Sequence, residues 1–278
     1  MAPSIASVFS RILKTLLPVP YDLYVDGVSD IGKIRKRNED SLGLFPELGV
    51  TVVADGMGGH PGGDVASQLA AATMGEFLHG RLPLSASVRS DRDGAAAHLG
   101  QTMEAGVMQA HSAIRARGAK DVSLARMGTT LTALAVDPPT GIFAIGHVGD
   151  SRIYRFREGT LLQLTRDDTW VQERLENEDL TPEQAKRHPF GHLLTQCVGL
   201  EEAPEPHVVT GTVDAGDTYL LCTDGLMGMV EDEALTEAIE AGGTPRSIAQ
   251  CLVDTANENG GRDNVTVAVV SVRSQPAG

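Results

Sequence analysis

The sequence predicts an α+β fold, and three observations carry that reading. From Tyr21 onward, short β-type runs bounded by Gly, Pro or Asp dominate the chain. Two long apolar blocks of helical spacing interrupt them, Asp64 to Leu78 and Arg92 to Arg117. Strands then return, without the regular strand-helix alternation that a doubly wound parallel sheet requires.

Along the chain, the expected strands are Tyr21 to Gly32, Asp40 to Phe45, Val50 to Asp55, Thr129 to Asp137, Gly141 to Asp150, Arg152 to Gly159 and Thr218 to Asp224, with a last strand opening at Asp263. Further helices are expected from Asp232 to Ala241 and from Pro245 to Asn257. The polar stretch Thr165 to Arg187 reads as a short helical insertion over one face. Within it Thr181 to Gln184 (TPEQ) combines an N-cap, a proline at the first helical position and a capping-box acceptor. Ahead of all this, Ile5, Val8, Phe9, Ile12, Leu13, Leu16 and Leu17 form an amphipathic helical stripe that Pro18 and Pro20 end. Arg11 and Lys14 interrupt that stripe, so it suits neither a signal peptide nor a membrane span. The expected organisation is an N-terminal segment over 1–20, a main domain over 21–273 with its insertion at about 165–200, and a tail over 274–278. Besides the ends, Ser85 to Asp93 is the expected disordered stretch.

With 278 residues, of which 41% are hydrophobic, the chain can bury a sizeable core. A formal net charge of −14 leaves no basic stripe for nucleic acid. Cys197, Cys222 and Cys251 read as reduced, buried thiols of a cytoplasmic protein. A cysteine phosphatase needs Arg six residues after its nucleophile; here those positions hold Ala203, Gly228 and Asn257.

The chemistry lies in acids at the ends of short runs, three of them next to glycine: Glu39 and Asp40 after RKRN, Asp55-Gly56, Gly149-Asp150, Asp224-Gly225 and Asp263-Asn264. A lone Asp-Gly is a common turn pair. Several such ends can converge on hard divalent cations, and an all-oxygen set without Cys or His at zinc spacing favours Mg2+ or Mn2+ over zinc. The conjunction points to a metal-dependent hydrolase. The glycines at 58, 59, 62 and 63 do not form a nucleotide loop, because Pro61 interrupts the fingerprint and no Walker motif occurs. Thr129 and Thr130 read as ordinary strand threonines.

Seven blocks in order carry a resemblance: Ser29 to Ser41, Val52 to Ser67, Met127 to Leu134, Gly146 to Tyr154, Leu164 to Gln172, Leu220 to Leu226 and Gly261 to Val270. The chain resembles a bacterial member of the metal-dependent protein phosphatases, the type 2C serine/threonine phosphatases, over Val25 to Val272. That resemblance implies two antiparallel β-sheets packed as a sandwich with helices on both outer sides. It implies hydrolysis of phosphoserine and phosphothreonine by a hydroxide bridging two Mn2+ or Mg2+ ions, with a third, looser ion. Asp55 would bridge the two ions, Asp224 and Asp263 would complete the first site, and Glu39 with the Gly56 carbonyl would serve the second. Asp40 would hold metal-bound water, Asp150 would join Asp224 at the third ion, and Arg35 would bind the substrate phosphate.

The implied partners are phosphorylated proteins and an opposing serine/threonine kinase, and a monomer without a transmembrane segment is expected. Met57 stands where animal relatives carry a histidine proton donor; His60, three residues on, is read as structural. The segment at 165–200 is read as a flap beside the site, with Trp170 available to protein substrate. Two alternatives share the fold: a catalytically silent phosphoprotein-binding module, which loss of ligand positions would mark, and a phosphatase of small metabolites. No ligand position is lost.

Overall fold

The computed structural model describes residues 21–57, 62–89 and 91–275. The expected N-terminal helix, His60 and its neighbouring glycines 58 and 59 lie outside them. The strands are β1 (Tyr21–Asp30), β2 (Asp40–Phe45), β3 (Val50–Asp55), β4 (Leu131–Asp137), β5 (Ile142–Val148), β6 (Arg152–Arg157), β7 (Thr160–Gln163), β8 (His207–Thr212), β9 (Thr218–Cys222) and β10 (Val265–Ser274). They form two five-stranded antiparallel sheets, ordered β1-β10-β9-β6-β7 and β2-β3-β4-β5-β8.

Side-chain alternation explains the layering. One face of each sheet contributes to an inner core of Val53, Leu134, Val136, Phe143, Ile145, Ile153, Tyr219, Leu221, Ala268 and Val270, which glues the sheets together. The opposite faces are apolar as well and are covered by helices. The second sheet packs under α1 (Gly63–His79) and, beyond the short α2 (Ala86–Arg89), under α3 (Arg92–Lys120). In α3, Leu99, Met103, Val107, Ala110 and Ile114 repeat every three or four residues and are fully buried. The small residues of α1 allow close approach: a side chain at Gly75 would strike the Phe45 ring at 2.2 Å.

After the flap helices α4 (Trp170–Glu176) and α5 (Pro182–Lys186), and the single turn α6 (Asp224–Met227), helices α7 (Asp232–Glu240) and α8 (Pro245–Glu258) cover the first sheet. The result is the four-layer α-β-β-α sandwich. The predicted capping box at Thr181 and Gln184 is present. The expected disorder over Ser85 to Asp93 is corrected for its described residues: α2 covers Ala86–Arg89, anchored by a 2.8 Å ion pair from Arg89 to the buried Asp137, whose Oδ2 also accepts from Thr140. Cys251 is a second correction, since it is exposed on α8, while Cys197 and Cys222 are buried. Burial pushes those two thiols up to about 11 and about 12, so neither is a thiolate near neutral pH.

The flap leaves β7 and returns into β8. At its root the buried Asp168 accepts from the Gly149 N–H at 2.9 Å and lies 2.7 Å from His207 Nε2. At its far side Lys186 donates to both oxygens of Glu231 at 2.8 Å. Trp170 packs inside the flap, 4.8 Å from the His188 ring and edge-on to Phe190 at 5.8 Å.

Because the inner core joins the sheets, truncating it should cost more than any surface ion pair. Leu221, fully buried between the sheets, should lose about 2–5 kcal/mol of stability as Leu221→Ala, read as a lower urea midpoint with an unchanged slope.

Candidate metal centre

The acids gather at one end of the sandwich, and antiparallel register begins the assembly. Asp40 opens β2 directly opposite Asp55 at the end of β3. Like charges opposite one another destabilise a sheet unless something neutralises them. The other sheet brings two more acids. Asp224 opens the turn α6 just after β9, and Asp263 lies two residues before β10. Asp150 follows β5 in the tight turn into β6, where Gly149 has φ of +109°. Thus Asp55 ends a strand and Asp40 opens one, while Asp150, Asp224 and Asp263 sit in the turns that follow or precede strands.

A cavity of about 450 Å³ is lined by Arg35, Asp55, Asp150, Asp224 and Asp263, with Met57, Thr130, His192, Leu193 and Leu194 completing its wall. Asp40 lies buried beneath it. Its Oδ2 accepts from the hydroxyls of Thr223 and Thr266 at 2.8 and 2.7 Å, while its Oδ1 is buried with no partner, as is Asp224 Oδ1. Glu39 stands apart from that lining: a side chain at Gly63 would come within 3.0 Å of its Oε1. Gly56 lies between them because two backbones converge on it. A side chain there would sit 2.2 Å from the Gly63 carbonyl oxygen and 2.6 Å from that of Glu39.

Electrostatics register the crowding. Burial, reinforced by Asp40, Asp224 and Asp150, holds the Asp55 carboxyl well above the usual range. Burial pushes Asp150 up to about 8, with Asp224 adding to it. Asp40 rises to about 7: burial and the neighbouring acids outweigh the two threonine hydroxyls that favour its charged form. Burial raises Glu39 too, against the pull of Arg35. Arg35 donates to Asp263 Oδ2 at 2.6 Å from the rim, and His192 of the flap lies 3.6 Å from Asp224 Oδ2, which raises its pKa.

Among the described residues, no three acid, His or Cys side chains close on one point as a finished ligand set. Instead the acids ring a space that can take a cation together with its water. Hard cations that keep part of their water shell suit such a site. Orphaned carboxylate oxygens, opposed acids and raised acid pKa values all fit divalent cations.

Several residues that hold this geometry escape a reading of acids alone. Thr129 and Thr130 are not ordinary strand threonines. The Thr129 hydroxyl and the Thr130 N–H donate to the Asp55 carbonyl at 2.7 and 2.8 Å, and Thr130 Oγ1 accepts the Asp55 N–H. Asn264 is buried and ties down three points of the β1–β2 loop backbone. Its Oδ1 accepts the Glu39 N–H at 2.8 Å, and its Nδ2 donates to the carbonyls of Ile31 and Arg37 at 2.9 Å each. The Asp-Asn pair at 263–264 is the signal that could have found it. His192 has no such signal, since only the path of the flap brings it to the cavity.

Comparison with known proteins agrees with this geometry. A family model described as protein phosphatase 2C matches residues 35–258. The serine/threonine protein phosphatase PstP of Mycobacterium tuberculosis is 38% identical over 244 residues, 88% of this chain and 44% of that protein; the chain thus spans less than half the length of this relative. The serine/threonine phosphatase stp of Listeria monocytogenes is 32% identical over 87% of this chain and 93% of its own. The crystal structure of a PstP catalytic domain in complex with two manganese ions superposes with a TM-score of 0.78 at 36% identity, covering 91% of this chain and 99% of that one. The chain belongs to the protein phosphatase 2C family.

Proposed function

We propose that this chain is a metal-dependent protein phosphatase that hydrolyses phosphoserine and phosphothreonine, opposing a serine/threonine kinase. The observation that carries it is the ring of opposed, partly orphaned carboxylates around a cavity with an arginine at its rim. The names of the relatives and the manganese in the PstP domain support the same reading. Free thiols support a cytoplasmic setting, and no helix among the described residues is long and apolar enough to cross a membrane. The catalytic unit we assign is 21–273.

Asp55 is proposed to serve two Mn2+ or Mg2+ ions, Asp224 and Asp263 the first, and Glu39 with the Gly56 carbonyl the second. Asp150 with Asp224 would serve a third ion. Two bound cations supply a water of lowered pKa and neutralise charge building at phosphorus. The chain's own part is placement. Thr129 and Thr130 hold the backbone of Asp55, and Asp40, fixed by Thr223 and Thr266, keeps one free oxygen to orient and deprotonate water. Arg35 exchanges its ion pair with Asp263 for the substrate phosphate, which its planar fork can grip with two parallel bonds. Met57 carries no proton to give, and a side chain at Gly128 would lie 2.4 Å from its methyl, so its role is packing at the cavity wall.

Asp224→Asn keeps the shape of the side chain. It should lower Mn2+-dependent turnover of phosphothreonine peptide by about a hundredfold or more; near-normal turnover would remove Asp224 from the metal set. Arg35→Ala should lower kcat/KM by about tenfold to a hundredfold, mostly through KM, while the Mn2+-induced rise in Tm persists. An unchanged kcat/KM would take the phosphate role from Arg35.

Without metal, the folded protein retains protons on Asp40, Asp55 and Asp150 that the unfolded chain releases near pH 4. The stability these groups contribute is therefore full below that pH and is lost as pH climbs through about 7 and about 8. Between about pH 6 and about pH 9 the Tm of chelated protein should fall, and the rise on adding Mn2+ should grow. A chelated Tm that stays level over that range would contradict the proton-loaded cluster.

A further inference from the structure

Apart from Arg35, the loop between β1 and β2 carries a charge pattern that hydrolysis itself does not use. In a chain with a net charge of −14, residues 33–37 read Lys-Ile-Arg-Lys-Arg, and all five are exposed. The loop is firmly built. Asn264 bonds the carbonyls at both its ends, Ile31 and Arg37, and the Lys33 N–H donates to the Gly261 carbonyl at 2.7 Å. Gly32, at φ of +75°, is pressed so close to the Asp263 segment that a side chain would lie 2.2 Å from the Asp263 carbonyl oxygen. The exposed Arg262 follows Gly261 on the same ridge. A cationic ridge is thus fixed beside the cavity, with Arg35 reaching Asp263 at its rim.

On this acidic surface several cations are already matched. Arg89, Arg152, Arg157, Arg166, Arg174 and Lys186 each hold a carboxylate. Lys33 and Lys36, by contrast, make no side-chain hydrogen bond or ion pair among the described residues. Their charge is available to a partner. An extended peptide advances about 3.3 Å per residue, so with its phosphate at Arg35, side chains two or three positions away fall within reach of the neighbouring loop residues. The rest of the surface repels acidic substrates, which makes this ridge the favourable line of approach for them.

We propose that the 33–37 loop, together with Arg262, is the docking surface for acidic side chains flanking the phosphorylated residue, so that this enzyme selects phosphosites set among Asp and Glu. The proposal rests on the phosphatase reading above and adds the substrate class. Each exposed pair contributes little, but several on one ridge add to a discrimination of about tenfold that salt screens.

The test uses phosphothreonine peptides that differ only in their flanks, three Glu, three Ala or three Lys, with p-nitrophenyl phosphate as a substrate lacking flanks. With the wild-type chain and Mn2+, kcat/KM should fall in the order Glu, Ala, Lys, spanning about tenfold at low salt and closing toward equality near 0.5 M salt. Lys33→Glu/Lys36→Glu should abolish or invert that order while p-nitrophenyl phosphate turnover stays within about twofold. Lys33→Ala/Lys36→Ala should flatten it, which guards against capture of Arg35 by the new glutamates. Equal rates for the three peptides, or a Glu preference that survives both double variants, would overturn the proposal. Loss of the phosphatase reading would look different, as absent Mn2+-dependent turnover of every substrate, p-nitrophenyl phosphate included.

Discussion

The constraint on which the rest depends is the crowding of carboxylates between the ends of two sheets. Asp40 and Asp55 face one another across a strand pair, and Asp224 and Asp150 crowd the same space. Such an arrangement is unfavourable in a protein left to itself, because burial and neighbouring acids disfavour the charged forms of Asp40, Asp55 and Asp150. The fold tolerates it only because the strain is confined to one end of a sandwich whose apolar interior is continuous elsewhere. What looks like a defect in sheet chemistry is the reservoir from which cation affinity is drawn.

The sandwich supplies the acids from separate layers, and that division matters. One sheet delivers Asp40 and Asp55, the other delivers Asp224 and Asp263, and Asp150 sits in the turn that joins the two. The inner core sets the separation of these groups, so packing between Leu134, Ile145, Leu221 and Val270 reaches the site as geometry. Threonines then complete the alignment, two beneath Asp40 and two along the backbone of Asp55. Short hydroxyl side chains suit this duty because they bond locally and bring no charge of their own.

Much of this was legible in the sequence. The α+β pattern, both long helices, α7, α8 and the Thr181 capping box follow from periodicity and end signals, and Asp55, Asp150 and Asp224 stand out by their glycine neighbours. What escaped depends on contacts between distant segments. Alternation alone cannot reveal that Thr223 and Thr266 meet Asp40 across 183 and 226 residues of chain. The Ser85 to Asp93 stretch looked unstructured because its order comes from Asp137, half a domain away. Cys251 was expected inside because cysteine usually is; its place on the outer side of α8 is decided by the helix's register against Ile248, Leu252 and Ala256.

Asn264 has a consequence beyond its hydrogen bonds. One amide holds both ends of the loop that carries Arg35 and also the backbone of Glu39. The arginine proposed to grip phosphate and the acid assigned to the second ion therefore hang from a single hinge pin, and neither can drift without dragging the other. For a lineage of such enzymes, substitutions in the basic loop and around Glu39 become epistatic. Variation in what the loop recognises is channelled into side chains on its outer surface, while its backbone path stays fixed.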